Sequence, residues 1–391
     1  MTVSPQKPRA RGDVALLTLG HVLSDVYASF LITLLPMWLR LFGLPYSAAG
    51  FLVFVRSAAL TVLEPIGGTL ADRTNRRIFP YGLLIVAIAM SCVGLAPSYV
   101  VLVLLVLVGA VGQSLFGPQA TSQATLSSKA SRGFGLRSTG SLAVAVFLAG
   151  GSLGAAVGPV AVASVVSAGG VRSTWLMVLP GLLLAALLFQ RFDARLAGPD
   201  PARLAFDARA LVSSAPVLAL AAVLVLRSAA EMAILAFLPI LVEQKGGNLM
   251  AIGATVSFFK LAGAGGALLG GYLSDRARWK PVMVLLLVLA AVLLIAFLRT
   301  EGILSLILIA LLGACLLSSS AYTMVAAQNL LPDRASTAAG LVFSLSLLGG
   351  GLGALAEGFL ADRFGVEPAL LLIGVSLSLT AAVATLGLRE R

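Results

Sequence analysis

Eight ionisable side chains interrupt the long apolar runs of this sequence: His21, Asp25, Arg56, Glu64, Arg227, Glu231, Lys260 and Glu357. Such groups are costly in hydrocarbon and mark ion or solute pathways by default. His21 and Asp25 lie four residues apart and share one helix face, and Arg227 and Glu231 repeat the base-then-acid spacing. At 1.5 Å per residue, Asp25 and Arg56 both fall near mid-membrane, which predicts that they are partners. Asp25 is the leading candidate for a proton carrier, because burial disfavours its charge while Arg56 and a protonated His21 favour it. Glu231 beside Arg227 is the second. Together His21, Asp25, Arg56, Arg227, Glu231 and Lys260 predict a central cavity whose fixed cations suit a small anionic or zwitterionic solute. The alternative is a set of static salt bridges, with His21 as a packing residue. Glu64 precedes Pro65 and could serve a kinked backbone, and Glu357 could be a gate or a surface group.

Other chemistries find no footing. A single histidine, no ligand cluster and no nucleophile with a placed base argue against an enzyme and against a metal or other cofactor. No Walker-type loop is present, so ATP is not the expected energy source. Cys92 and Cys315 sit far apart inside apolar runs, as inert thiols do. The net charge of +11 does not signal nucleic acid, because most of the basic residues occupy short loops between apolar runs.

The elements that must carry these residues follow from hydropathy. The chain has 391 residues, 59% hydrophobic and 11% charged, against about 25% charged in soluble domains. Runs of about 20 apolar residues recur along it, each enough to cross a bilayer. The expected fold class is therefore an all-α polytopic membrane protein with twelve spans. They fall at roughly 14–41, 46–71, 78–96, 98–123, 138–167, 172–191, 211–242, 248–274, 280–299, 302–329, 334–361 and 366–388. The start, Met1 to Asp13, leads into a run too long for a signal peptide, so Val14 onward is expected to be the first span. The only long polar stretch, 192–210, reads as a cytoplasmic linker between residues 1–191 and 211–391. With the N-terminus inside, nineteen Lys and Arg lie on the inner side and five on the outer: Arg40, Arg172, Lys245, Arg299 and Arg363. That imbalance predicts both termini on the cytoplasmic side.

A repeat supports two related halves. Gly67-Gly68-Thr69-Leu70-Ala71-Asp72-Arg73 returns as Gly270-Gly271-Tyr272-Leu273-Ser274-Asp275-Arg276, an offset of 275 − 72 = 203 residues. A weaker echo, Glu357 to Arg363, ends a span running the other way, as nested inverted repeats would. Twelve spans, a central linker and these motifs resemble the major facilitator superfamily over the full length. Four stretches are similar to its fosmidomycin-resistance branch of bacterial efflux proteins. They are His21-x-x-x-Asp25 with Leu34-Leu35-Pro36, Gly112 to Pro118, Gly150 to Pro159, and Gln328 to Pro332. In the second, Gly117-Pro118-Gln119 stands where the branch has His-Pro-Glu. The resemblance implies two pseudo-symmetric six-helix bundles in a bacterial inner membrane and a monomeric, proton-coupled exporter. It implies substrate contact by Gln113 and Gln119 beside Arg56, Arg227 and Lys260. It also implies gating by Asp72, Arg73, Arg76, Asp275 and Arg276 and by the span-5 residues Gly154, Gly158 and Pro159. A facilitator or proton symporter importing an organic acid would share the architecture.

Overall fold

The structure, a computed structural model, describes residues 10–73, 77–130, 140–192, 215–274, 278–330 and 335–388. All twelve expected spans are helices. The first six are α1 (Ala10–Phe42), α2 (Tyr46–Arg73), α3 (Phe79–Ser91), α4 (Tyr99–Ala130), α5 (Gly140–Gly169) and α6 (Val178–Arg191). The second six are α7 (Ala215–Gln244), α8 (Leu249–Ser274), α9 (Trp279–Leu298), α10 (Gly302–Leu330), α11 (Ala335–Phe364) and α12 (Val366–Gly387). Eleven of the spans are long and apolar enough to cross a bilayer. The third is shorter: Phe79–Leu95 tightens into a 3-10 turn from Cys92. Pro97 explains the stop, because the residue before a proline is steered out of helical geometry and Ala96 is extended. The sixth span opens the opposite way, with a 3-10 turn over Val171–Met177. Beyond Phe192, the expected linker lies outside the described residues, as do Arg76, Asp275 and Arg276. Asp72 and Arg73 close α2, but their side chains also lie outside the described residues.

The packing is pseudo-two-fold. Within the first six helices α1 packs on α5, α2 on α4 and α3 on α4; within the second, α7 packs on α11, α8 on α10 and α9 on α10. Adding six to each number of the first set gives the second. The halves meet along two equivalent seams, α2 on α11 and α5 on α8, with α1 against α7 between them. Lipid tails are as apolar as leucine, so such packing relies on close contact and not on hydrophobic burial. Gly154 shows how: a Cβ there would lie 2.8 Å from the Val22 carbonyl carbon of α1. Leu183, Leu268 and Ile303 are exposed on the outside of the bundle, as a lipid-facing belt requires.

Polar contacts fix which helix ends share a face. Asp13 at the start of α1 pairs with Arg191 at the end of α6 at 2.6 Å, on the side that carries both termini. Arg40 at the end of α1 pairs with Glu243 at the end of α7 at 2.9 Å, on the far side.

Candidate functional site

Between the halves, near the middle of the bundle, lies a cavity of about 190 Å³. It is lined by Asp25 and Ser29 of α1, Val53 and Arg56 of α2, Gln113 of α4, Pro159 of α5, Leu235 of α7 and Lys260 of α8. Asp25, Arg56 and Gln113 form one chain of contacts. Arg56 donates from Nη2 to Gln113 Oε1 at 2.5 Å, and Gln113 Nε2 donates to Asp25 Oδ1 at 3.3 Å. The expected Asp25–Arg56 partnership is therefore bridged by a neutral amide. Lys260, from the other half, is within electrostatic reach of Asp25.

His21 stands behind Asp25 and outside the cavity lining. Its ring stacks on Phe147 at 4.3 Å between centroids, and Nδ1 lies 2.8 Å from the Phe147 carbonyl oxygen. A carbonyl only accepts, so Nδ1 carries the hydrogen. Nε2 then presents a lone pair in the neutral ring, and it faces Asp25 Oδ2 at 3.7 Å. Attraction between the two requires one further proton, on the ring or on the carboxyl. His21 is therefore packed on Phe147 and at the same time placed beside Asp25. Gly151 of α5 makes room for this pair: a Cβ there would sit 2.5 Å from His21 Cε1 and 2.8 Å from Asp25 Oδ2.

Several expected members do not join the cavity. Arg227 is 3% exposed and is held inside the second half, with Nη1 on Glu231 Oε2 at 2.9 Å and Nη2 on Ser228 Oγ at 3.0 Å. Its Nη1 also donates to the Leu316 carbonyl of α10 at 3.4 Å. Turned towards α10, neither Arg227 nor Glu231 lines the cavity, so among the described residues the fixed cations there number two, not three. Gln119 is buried, and its Oε1 accepts from the Ile78 and Phe79 amides at 2.5 and 2.8 Å. It satisfies backbone donors at the start of α3 that the helix itself cannot. Gly154 and Gly158 pack on α1 inside the first half, against Val22 and Val26. Pro159 does lie at the seam: a Cβ on Gly253 of α8 would sit 2.8 Å from its carbonyl oxygen.

The Arg227–Glu231 pair makes a stability prediction. Glu231→Ala would leave a buried guanidinium without its counter-charge, costing on the order of 3–5 kcal/mol. A clear drop in the melting temperature of purified protein is expected. The double variant Arg227→Met with Glu231→Leu should recover most of it.

The far side holds contacts that sequence reasoning did not assign. Asp362, at the end of α11, accepts from the Tyr46 and Ser47 amides at 2.6 and 3.1 Å and so caps α2 across the seam. Gln244 Nε2 of α7 donates to Tyr46 Oη at 2.7 Å, beside the Arg40–Glu243 pair. A cleft of about 290 Å³ is lined by these groups. The inverted echo of the glycine motif was the sequence signal for Asp362.

Two pseudo-symmetric six-helix halves around a polar cavity are the architecture of a membrane transporter. The family profile of the Major Facilitator Superfamily matches residues 17–354, and the chain belongs to that superfamily. Among curated relatives, the uncharacterised MFS-type transporter YfnC of Bacillus subtilis (strain 168) is 26% identical over 381 residues, covering 94% of this chain and 91% of its own. The fosmidomycin resistance protein of Escherichia coli (strain K12) is 26% identical over 368 residues, covering 91% and 88%. The fold is shared with a bacterial homologue of the human lysosomal transporter Spinster in its inward-facing, unoccupied form (TM-score 0.83, 18% identity, 98% and 97% coverage). It is also shared with a point mutant of the nucleoside transporter NupG (TM-score 0.79, 14% identity, 96% and 100% coverage).

Proposed function

We propose that this transporter is a proton-coupled exporter that exchanges protons for a small anionic or zwitterionic solute by alternating access. The observation that carries the proposal is the cavity itself. Arg56 and Lys260 come from opposite halves and face one acid, Asp25, which shares a proton-demanding contact with His21. Two cations against one carboxylate favour an anion, and closure of the cavity on it links the halves. In this reading Arg56, Lys260 and Gln113 hold the solute, and Asp25 with His21 carries the proton. Solute and proton compete, so that protonation from outside releases the solute and deprotonation inside readmits it. The relative that confers fosmidomycin resistance in name supports a phosphonate-like cargo.

In the same proposal the protein works as a monomer in a bacterial inner membrane, with the termini in the cytoplasm. Residues 1–191 and 211–391 rock as two bodies about the midplane site. The far side, where cross-half contacts gather among the described residues, faces out in this reading and forms the outer gate. Purified protein in liposomes tests the coupling: counterflow should follow imposed pH gradients of both signs, with solute moving against the proton. Solute moving with the proton favours the importer of an organic acid. A panel of phosphonates, organic acids and lipophilic cations tests the cargo, and a preference for cations would overturn the basic cavity.

Asp362 offers a milder test of the rocking motion. Losing a cap costs about 0.5–2 kcal/mol, and exposure places this one near about 1 kcal/mol. Asp362→Ala should therefore shift the balance roughly fivefold towards opening at the far side. A distance measurement between spin labels on α2 and α11 reads that shift.

A further inference from the structure

Glu357 of α11 is 0% exposed, and neither of its carboxyl oxygens has a hydrogen-bond partner. Its place explains both facts. On the α11 helix its direction falls between that of Gly353, which packs on Ala229 of α7, and that of Ala354, which packs on Gly50 of α2. One residue on, Gly358 packs on Ser47 of α2. The side chain is thus shut inside the closed part of the α2–α11 seam, about one turn from the Asp362 cap.

No counter-charge compensates it. Of the helices packed on α11, α2 carries Tyr46, Arg56 and Glu64, with Asp72 and Arg73 at its opposite end. α7 carries Arg227, Glu231 and Glu243, α10 carries Cys315 and Tyr322, and α12 carries Glu367; α11 itself adds Asp362 and Arg363. Among the described residues, none of these gives Glu357 a hydrogen bond or an ion pair. An ionised carboxylate sealed in a dry seam without a partner is strongly disfavoured, whereas the neutral acid is tolerated. Opening the seam would let in water and make the ionised form acceptable.

We propose that Glu357 is a proton-binding site of the outer gate, in exchange with the outer solution when the seam is open, and that the seam closes only on its protonated form. The site is separate from the Asp25–His21 pair and acts on a different step. It rests on the rocking halves and the orientation proposed above, and not on the direction of solute coupling. Acid outside therefore favours closure of the outer side, and alkali favours opening.

The test uses the full chain in lipid nanodiscs, with Cys92 and Cys315 replaced by alanine and spin labels at Phe51→Cys of α2 and Arg363→Cys of α11. In the parent, the short-distance, closed population should fall as pH is raised. Glu357→Gln, a permanent mimic of the neutral acid, should remain closed at every pH, and Glu357→Asp should keep the response. An unchanged pH response in Glu357→Gln overturns the proposal, as does a Glu357→Gln protein that stays open. The infrared C=O stretch of a protonated carboxyl without hydrogen bonds supplies a second readout on the parent itself. It should disappear in step with opening, and a band that ignores the gate, or no such band, also overturns the assignment. The gate is read here as a distance and the exchange as pH-driven flux, so failure of the exchange reading and failure of the Glu357 site give different results.

Discussion

Asp25→Asn is expected to fold and insert as the parent does, yet to accumulate no solute above the level of empty vesicles under a pH gradient. The substitution preserves the side chain's shape and its Oδ1 acceptor, so Gln113 Nε2 keeps its partner and the Arg56–Gln113 link survives. What disappears is the ability to gain and lose a proton beside His21. With Nδ1 of His21 committed to the Phe147 carbonyl, Nε2 can accept a hydrogen bond from the new amide, and the pair settles as neutral. Solute binding should therefore persist, and solute–solute exchange across liposomes should continue while uphill movement stops. The melting temperature separates this from misfolding. Undiminished pH-driven flux in the variant would remove Asp25 from the coupling step and leave it as a static counter-ion to the cavity cations.

How far the sequence reached depends on whether a residue's partner lies within its own helix. Span positions were legible because apolar runs of membrane length need no tertiary information, and the structure differs from them chiefly where Pro97 and the 3-10 turn shorten the third. Asp25, Arg56 and Lys260 stood out because a charge in an apolar run needs a polar surrounding, and for these three the space between the halves provides it. Arg227 obeys the same rule by a different route: Glu231 lies one turn away, Ser228 next to it and the Leu316 carbonyl opposite, so it needs no cavity. Periodicity gives the spacing of such a pair but not which neighbour the helix turns it towards. Gln119 eluded the reading for a related reason, since the amides it satisfies belong to a helix start some forty residues earlier. Asp362 is the sharpest case. Its motif was visible, but its partners are 315 and 316 residues away in the other half, and only the assembled seam reveals a cap.

That seam leads to the second large effect, at Gly50 of α2. A Cβ there would meet the backbone of α11 directly, at the Ala354 carbonyl and at Leu355 Cα, and all its nearest atoms belong to the opposite half. Backbone cannot swing aside as a long side chain can. Gly50→Leu should therefore leave each six-helix half intact and prevent only their approach on the far side. Overfilling a packed contact costs about 1–3 kcal/mol. Charged wholly to the closed state, that moves the balance between closed and open by roughly 5- to 150-fold. Leucine is also at home in a membrane helix, so the open state bears no compensating penalty. The expected protein is stable, trapped open at the far side and inactive in transport. A cysteine introduced by Ala155→Cys lines the cavity, and in right-side-out vesicles a membrane-impermeant maleimide should label it much faster in the Gly50→Leu background than in the parent. Equal labelling rates with transport preserved would mean that the α2–α11 contact is not the gate, and the outer closure would then have to lie along α5 and α8.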